Sequence, residues 1–290
     1  MGKYLISVDI EGITGVVDGS FAKANGANYH KGCQYMLHDV NAVIDGILLA
    51  DETADIVVRD AHGSAINLVL DGLNAKAQLL QGWDAAQNML AGLTKEFDGV
   101  FLVGYHARGD RLEAVLAHTM SSLVAELRLN DQLINEAILF ALYAATMQVP
   151  VLLISGDDVV VDETEAWLGS DLVGVVVKKS LGRAAVLSCS LQQSRERLVA
   201  GAKLAVERLL QKDNLYCCQI PDKLAFSLRI NDLAFRRSIF AELQGILGFD
   251  TTYQFETDVR IVRFKVDDML EGLYRINLIM HLLYGIKALI

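Results

Sequence analysis

The chain has 290 residues, 52% of them apolar and 21% charged, a composition that suits a packed globular protein and excludes a disordered one. The net charge of −10 sets an acidic surface against phosphate backbones, and no Lys/Arg-rich block offers a local exception, so nucleic acid is excluded as a partner. Cys33, Cys189, Cys217 and Cys218 form no C-x-x-C pair and read as small buried hydrophobes in a reducing, cytoplasmic setting.

Residues 4–8 are a short apolar run of strand type that breaks at Asp9. The run is too short for a signal peptide, and Ile6 stands where an N-myristoylation motif needs Ser or Thr. Leu37, Val40, Ile44, Ile47 and Leu48 recur at three- and four-residue steps and predict a helix. A second apolar run, 56–58, leads into Arg59-Asp60-Ala61-His62-Gly63, and a third, 100–103, into Gly104-Tyr105-His106. Residues 136–147 read as a helix that is apolar almost all round, hence buried. A fourth run, 151–154, leads into Ser155-Gly156-Asp157-Asp158. The uncharged stretch 137–156 is long enough to span a bilayer, but Gln148 and Pro150 interrupt it and end the helix, so no membrane is expected.

After about Lys178 the character changes. Residues 198–210 have helical spacing, 224–228 and 259–264 are β-like, and 269–289 read as a final apolar helix that suits either core or subunit contacts. Strands alternating with helices predict an α/β fold with a mainly parallel sheet flanked by helices over residues 1–178. A smaller C-terminal α+β portion covers 179–290. In such sheets ligands bind outside the carboxyl ends of the strands, where all four ionisable clusters lie.

Asp9 and Glu11, two apart on a strand end, point to the same side. They serve equally as a solvated strand end or as a metal or acid–base pair. Asp60 is a candidate partner for the second ring nitrogen of His62, or simply a turn cap. His106 ends the third strand, and His118 follows twelve residues later. Glu136 opens the buried helix, where an acid also complements the helix dipole. Taken together, Asp9, Glu11, His62, His106 and Glu136 are ligands of the kind zinc takes in hydrolases, and five can serve two ions if one carboxylate bridges. Paired ions polarise a carbonyl and generate hydroxide near neutral pH.

Ser7-Val8-Asp9-Ile10-Glu11-Gly12, Arg59-Asp60-Ala61-His62, Gly104-Tyr105-His106-Ala107, Ala117-His118-Thr119-Met120 and residues 130–136 occur in one order along the chain. With Ser155-Gly156-Asp157-Asp158, residues 178–186 and Asp268-Met269-Leu270-Glu271, this set resembles the DppA-type D-aminopeptidases, peptidase family M55. The resemblance implies a dizinc aminopeptidase that cleaves short peptides, including those with an N-terminal D-residue, and that assembles as a ring-shaped homo-oligomer. It implies that Asp9 bridges two Zn2+ per chain, with Glu11 and His106 completing one site and His62 and Glu136 the other. His118 matches the family's catalytic histidine, a proposed nucleophile; general base or transition-state donor suits an imidazole there equally. The sequence departs from the family in the charged segment 107–117 and across 212–257. An amidase acting on non-peptide amides and a non-catalytic oligomeric module stay open as alternatives.

Overall fold

The apolar runs become neighbouring strands whose ends are brought to one edge. The computed structural model describes residues 1–83, 87–211, 218–231 and 237–289; Cys217 lies outside them. The elements in chain order are β1 (Lys3–Val8), α1 (Gly19–Ala22), α2 (Tyr29–Ala50), β2 (Asp55–Asp60), β3 (Ala77–Leu80), β4 (Gly99–Tyr105), β5 (Val124–Leu129), β6 (Gln132–Leu133), α3 (Glu136–Thr146), β7 (Val151–Asp157), α4 (Asp158–Leu168), β8 (Val173–Gly182), β9 (Ala185–Ser188), α5 (Leu191–Gln211), β10 (Leu224–Ile230), α6 (Arg237–Leu247), β11 (Gln254–Phe255), β12 (Ile261–Val266) and α7 (Met269–Leu289).

Packing divides the chain into two units. The first is Met1–Ala107, Arg111–Ala117 and Ala137–Gln219; the second is Arg108–Asp110, His118–Glu136 and Ile220–Ile290. Residues 179–211 group with the first unit, and two short segments from the first half of the chain group with the second.

The first unit is a seven-stranded sheet in the order β3-β2-β1-β4-β7-β8-β9. It is parallel except for the antiparallel β8–β9 pair. Strand β4 is buried along its whole length, and β1 from Tyr4 onward. That is why their sequences are continuous apolar runs and not alternating ones. Each buried Val, Leu or Ile contributes roughly 1.5–3 kcal/mol, so the central strands fix their own ends firmly. Helices α2 and α5 pack on each other and on the sheet, and α4 packs on β7 and β8. Helix α3 stops at Thr146, ahead of Pro150, as the proline requires.

The second unit carries an antiparallel sheet in the order β11-β12-β10-β5-β6. Its β5–β6 hairpin turns at Asn130 and Asp131, both in the left-handed region (φ 50° and 65°), which marks a two-residue type I′ turn. Helix α7 packs on β10, β12 and α6. Met269, Leu273, Ile276, Ile279, Leu283 and Ile286 form its buried stripe at three- and four-residue steps. No helix among the described residues is long and apolar enough to cross a membrane.

Candidate metal centre

Three adjacent parallel strands deliver the first four candidate ligands. In register, Val8 of β1 faces Asp60 of β2 on one side and Val103 of β4 on the other. Asp9 and Glu11 follow β1, His62 follows β2 by two residues, and His106 follows β4 directly. Strands lie about 4.8 Å apart, so side chains leaving three neighbouring ends meet above the sheet edge. The backbone locks this arrangement: Asp9 N donates to Val103 O (2.9 Å), Ala61 N to Val8 O (2.9 Å), and Gly12 N to Gly104 O (2.7 Å). Glycine is needed at both ends of the last bond. A Cβ on Gly12 would stand 1.9 Å from Tyr105 O, and one on Gly104 (φ +71°) 2.2 Å from Asp9 O.

Each histidine turns one nitrogen to a backbone carbonyl and the other to Asp9. His62 Nε2 lies 2.7 Å from Ala22 O, and His106 Nδ1 lies 3.1 Å from Ala107 O. A carbonyl only accepts, so those nitrogens carry the protons, and a neutral ring then aims a lone pair from the other nitrogen. His62 Nδ1 stands 2.9 Å from Asp9 Oδ1 and 3.0 Å from Glu11 Oε2. His106 Nε2 stands 3.3 Å from Asp9 Oδ2. Glu11 Oε2 is buried, and the group that faces it is His62 Nδ1.

Three electron-pair donors therefore converge at His62, and only positive charge among them makes the arrangement stable. A proton can supply it. Although burial opposes the charge, the Glu11 carboxylate and the hydrogen bonds to Asp9 and Glu11 hold the His62 imidazolium well above the ordinary histidine range. Burial likewise opposes ionised Asp9, but its bonds to His106 and His62 hold that carboxyl well below the ordinary range. A zinc ion satisfies the same set, because neutral imidazole nitrogen and carboxylate oxygen are its usual hydrolase ligands and backbone carbonyls commonly orient the rings. The ligand atoms of Asp9, Glu11 and His62 all lie within 4.8 Å of one another. Asp9 offers one oxygen to each histidine, the disposition of a bridge. Glu11 sits with His62, whereas the family resemblance implies Glu11 with His106.

Asp60 does not touch the His62 ring. It accepts from Asn67 N (2.6 Å), Leu68 N (2.7 Å) and Asn67 Nδ2 (2.7 Å), and so ties down the loop after β2. Asn67 Nδ2 in turn donates to His62 O at 2.6 Å. The partner of the ring is the Ala22 carbonyl at the end of α1, which no local sequence pattern announces.

His118 and Glu136 belong to the second unit. His118 is half-buried, in the loop before β5, and Glu136 is buried as the first residue of α3. Glu136 Oε1 accepts from Met120 N at 2.5 Å, with Met120 in the left-handed region (φ 59°). Thr119 Oγ1 accepts from Gly109 N at 3.1 Å, so the two residues that follow His118 are both tied down.

Two further charges are buried near the edge, one from the Ser155-Gly156-Asp157-Asp158 cluster and one at the start of the segment 178–186. Lys178, on β8, is pushed down to about 8 by burial, against the pull of Asp157, Asp39, Glu11 and Asp9. Asp157 ends β7 and caps α4: its Oδ1 accepts from Val160 N at 2.9 Å, while its buried Oδ2 has no hydrogen-bond partner among the described residues. Burial raises the Asp157 carboxyl above its ordinary range, outweighing the Val160 bond and the Lys178 charge. A group whose folded pKa is raised contributes stability that is complete below the unfolded pKa and is lost as pH rises through the folded value. Asp157→Asn keeps the cap and removes the charge. It is expected to raise the melting temperature near neutral pH by about 2–4 °C, roughly 1 kcal/mol, and to give no gain at about pH 3. A lower melting temperature at neutral pH contradicts this.

A family model described as D-aminopeptidase, peptidase family M55, matches residues 2–274. A D-aminopeptidase of Bacillus subtilis (strain 168) is 29% identical over 278 residues, 96% of this chain and 96% of that one. The solved structure of a zinc-dependent D-aminopeptidase, DppA from Bacillus subtilis, a self-compartmentalizing protease, is similar with a TM-score of 0.87 and 27% identity, over 97% of this chain and 98% of that chain.

Proposed function

Because the chain belongs to the M55 family of D-aminopeptidases, we propose that it is a zinc-dependent aminopeptidase that hydrolyses short peptides, including those beginning with a D-residue, through a dinuclear metal site. The observation that carries this reading is the pair of imidazole nitrogens that stand at opposite oxygens of one buried carboxylate. Asp9, Glu11, His62 and His106 would hold the metal, with Asp9 turning one oxygen to each histidine and Glu11 standing with His62; Glu136 is the remaining candidate ligand. When bound, zinc polarises the scissile carbonyl and makes water acidic enough to attack near neutral pH.

The residues around the ions do the orienting. The Ala22 and Ala107 carbonyls fix the ring faces of His62 and His106, and the Met120 N–H fixes one oxygen of Glu136. His118 moves a proton at the leaving nitrogen: the scissile C–N bond breaks as the nitrogen gains that proton and departs as an amine. Aminopeptidase action requires the free amino end of the substrate to be held near the reacting carbonyl, so the substrate is a peptide or an aminoacyl derivative.

The assembly is a ring-shaped homo-oligomer. The description of the Bacillus protein as self-compartmentalizing supports this, as do Tyr274, Leu278 and Tyr284 exposed on α7, which supply apolar surface for subunit contacts. Cys33 and Cys189 are free thiols, which supports a reducing, cytoplasmic setting.

The test is a panel of D- and L-aminoacyl amides, dipeptides and non-peptide amides, assayed with zinc and after chelation. Zinc-dependent release of the N-terminal residue from D-aminoacyl substrates is expected. Cleavage confined to non-peptide amides, or cleavage indifferent to chelation, would overturn the reading.

A further inference from the structure

The loop that carries the two carboxylates leaves β1 at Asp9 and crosses the sheet edge toward β8 and β9. It is held at every step. Gly12 N donates to Gly104 O on β4 (2.7 Å), Thr14 donates through both N and Oγ1 to Asp39 Oδ2 on α2 (2.9 Å each), and Gly15 N donates to Ser188 Oγ on β9 (3.0 Å). These bonds satisfy the N–H groups of Gly12, Thr14 and Gly15. Neither a helix nor a strand ladder receives the Glu11 and Val16 carbonyls, and Ile13 O accepts a single turn bond from Val16 N (3.2 Å).

Lys178 receives them. Its side chain is buried at the end of the apolar run of β8, and Nζ donates to Glu11 O (2.5 Å), Ile13 O (2.9 Å) and Val16 O (2.7 Å). An ammonium has three N–H donors and no acceptor, so these bonds use all of them and leave none for a carboxylate. Lys178 thus reads the backbone shape of the loop instead of pairing with one acid. Among the bonds that hold the loop, this is the one made to the backbone of Glu11 itself.

We propose that Lys178 is a positioning residue of the metal centre: its ammonium gathers the Glu11, Ile13 and Val16 carbonyls and sets the loop in its metal-binding shape before any metal arrives. The inference rests on the metal reading above and adds to it that the carboxylate arm of the site is preformed. The centre binds metal without having to order residues 9–16, and Lys178 is the reason. A methionine at this position keeps the shape of the side chain and removes the donors, leaving the Glu11 and Val16 carbonyls unmet and Ile13 O with the Val16 N–H alone.

Two measurements on the full-length chain test this. The first is amide hydrogen exchange of the peptide covering residues 9–16 in metal-free and zinc-loaded wild-type protein. Protection that is already present without metal is expected; protection that arises only on adding zinc overturns the proposal, whatever any variant does. The second is zinc affinity by chelator competition. Lys178→Met is expected to bind zinc about 10–100-fold more weakly, the range seen when outer partners of metal ligands are removed. Lys178→Ala is expected to regain affinity with added methylammonium, a rescue that a merely space-filling role would not give. Wild-type affinity in a folded Lys178→Met protein, or no response of Lys178→Ala to methylammonium, overturns the proposal. If the wild-type protein itself binds no zinc, the metal reading fails, while the exchange measurement still decides whether the loop is preformed.

Discussion

Replacing His118 with alanine is expected to lower kcat by about 10^2- to 10^4-fold, the range for a positioned acid–base group, while zinc stays bound. The pin on Glu136 comes from the main-chain N–H of Met120, which the substitution leaves in place. The Gly109 bond to Thr119 Oγ1 also remains, so the loop keeps its path. The effect therefore falls on proton movement and not on the metal. Steady-state kinetics and zinc content of the same preparation check it together. Unchanged turnover removes His118 from the mechanism. Loss of zinc in step with turnover makes His118 part of the metal site instead.

Asp9→Ala is expected to cost more. Asp9 is the one carboxylate shared by both histidines, through Oδ1 to His62 and Oδ2 to His106. Its removal takes a ligand from both halves of the site at once, and both ions should be lost on desalting. With them goes the Lewis acidity, several kcal/mol of transition-state stabilisation, so kcat/KM should fall by at least about 10^3-fold. Glu11→Ala is the control. Among the described residues the Glu11 carboxylate pairs with His62, so its loss should release the ion on that side and weaken the other less. Equal metal retention in the two variants would mean that Asp9 does not bridge.

Much of the first unit was legible in the chain because its signals are local. The central strands are buried on both faces, and burial on both faces writes a continuous apolar run that ends where the first polar residue meets solvent or ligand. The rule that sites form at carboxyl ends then brings Asp9, Glu11, His62 and His106 together before any coordinates exist. Helices α2, α5 and α7 announce themselves by three- and four-residue spacing. The β3 strand does not, because Ala77–Leu80 is short and only partly buried and shows no clean alternation. The β5–β6 hairpin carries legible signals, the alternation of Glu126 and Arg128 with apolar residues and the Asn130-Asp131 turn, but its second strand is too short to show a pattern.

What stayed hidden depends on contacts between distant segments. No pattern in the sequence says that 108–110 and 118–136 join the C-terminal unit, since membership is decided by packing across more than a hundred residues. The spacing of Asp60 and His62 leaves a ring partner and a turn cap equally open, and the backbone bonds of Asn67 and Leu68 decide for the cap. Lys178 left one clue, a charge at the end of the apolar run 173–177, but its meaning lies in three carbonyls more than 160 residues away. The pairing of Glu11 with His62 is likewise a property of where two loops meet, not of either one.

The central claim is that these ligands converge on metal, and the measurement that tests it most directly is zinc content per chain by mass spectrometry, after zinc loading and desalting of the wild-type protein. About two zinc ions per chain is the expected result for a bridged site. No retained zinc would mean that the protonated His62–Asp9 pair is the working state of the protein, and the hydrolase reading would fall with it.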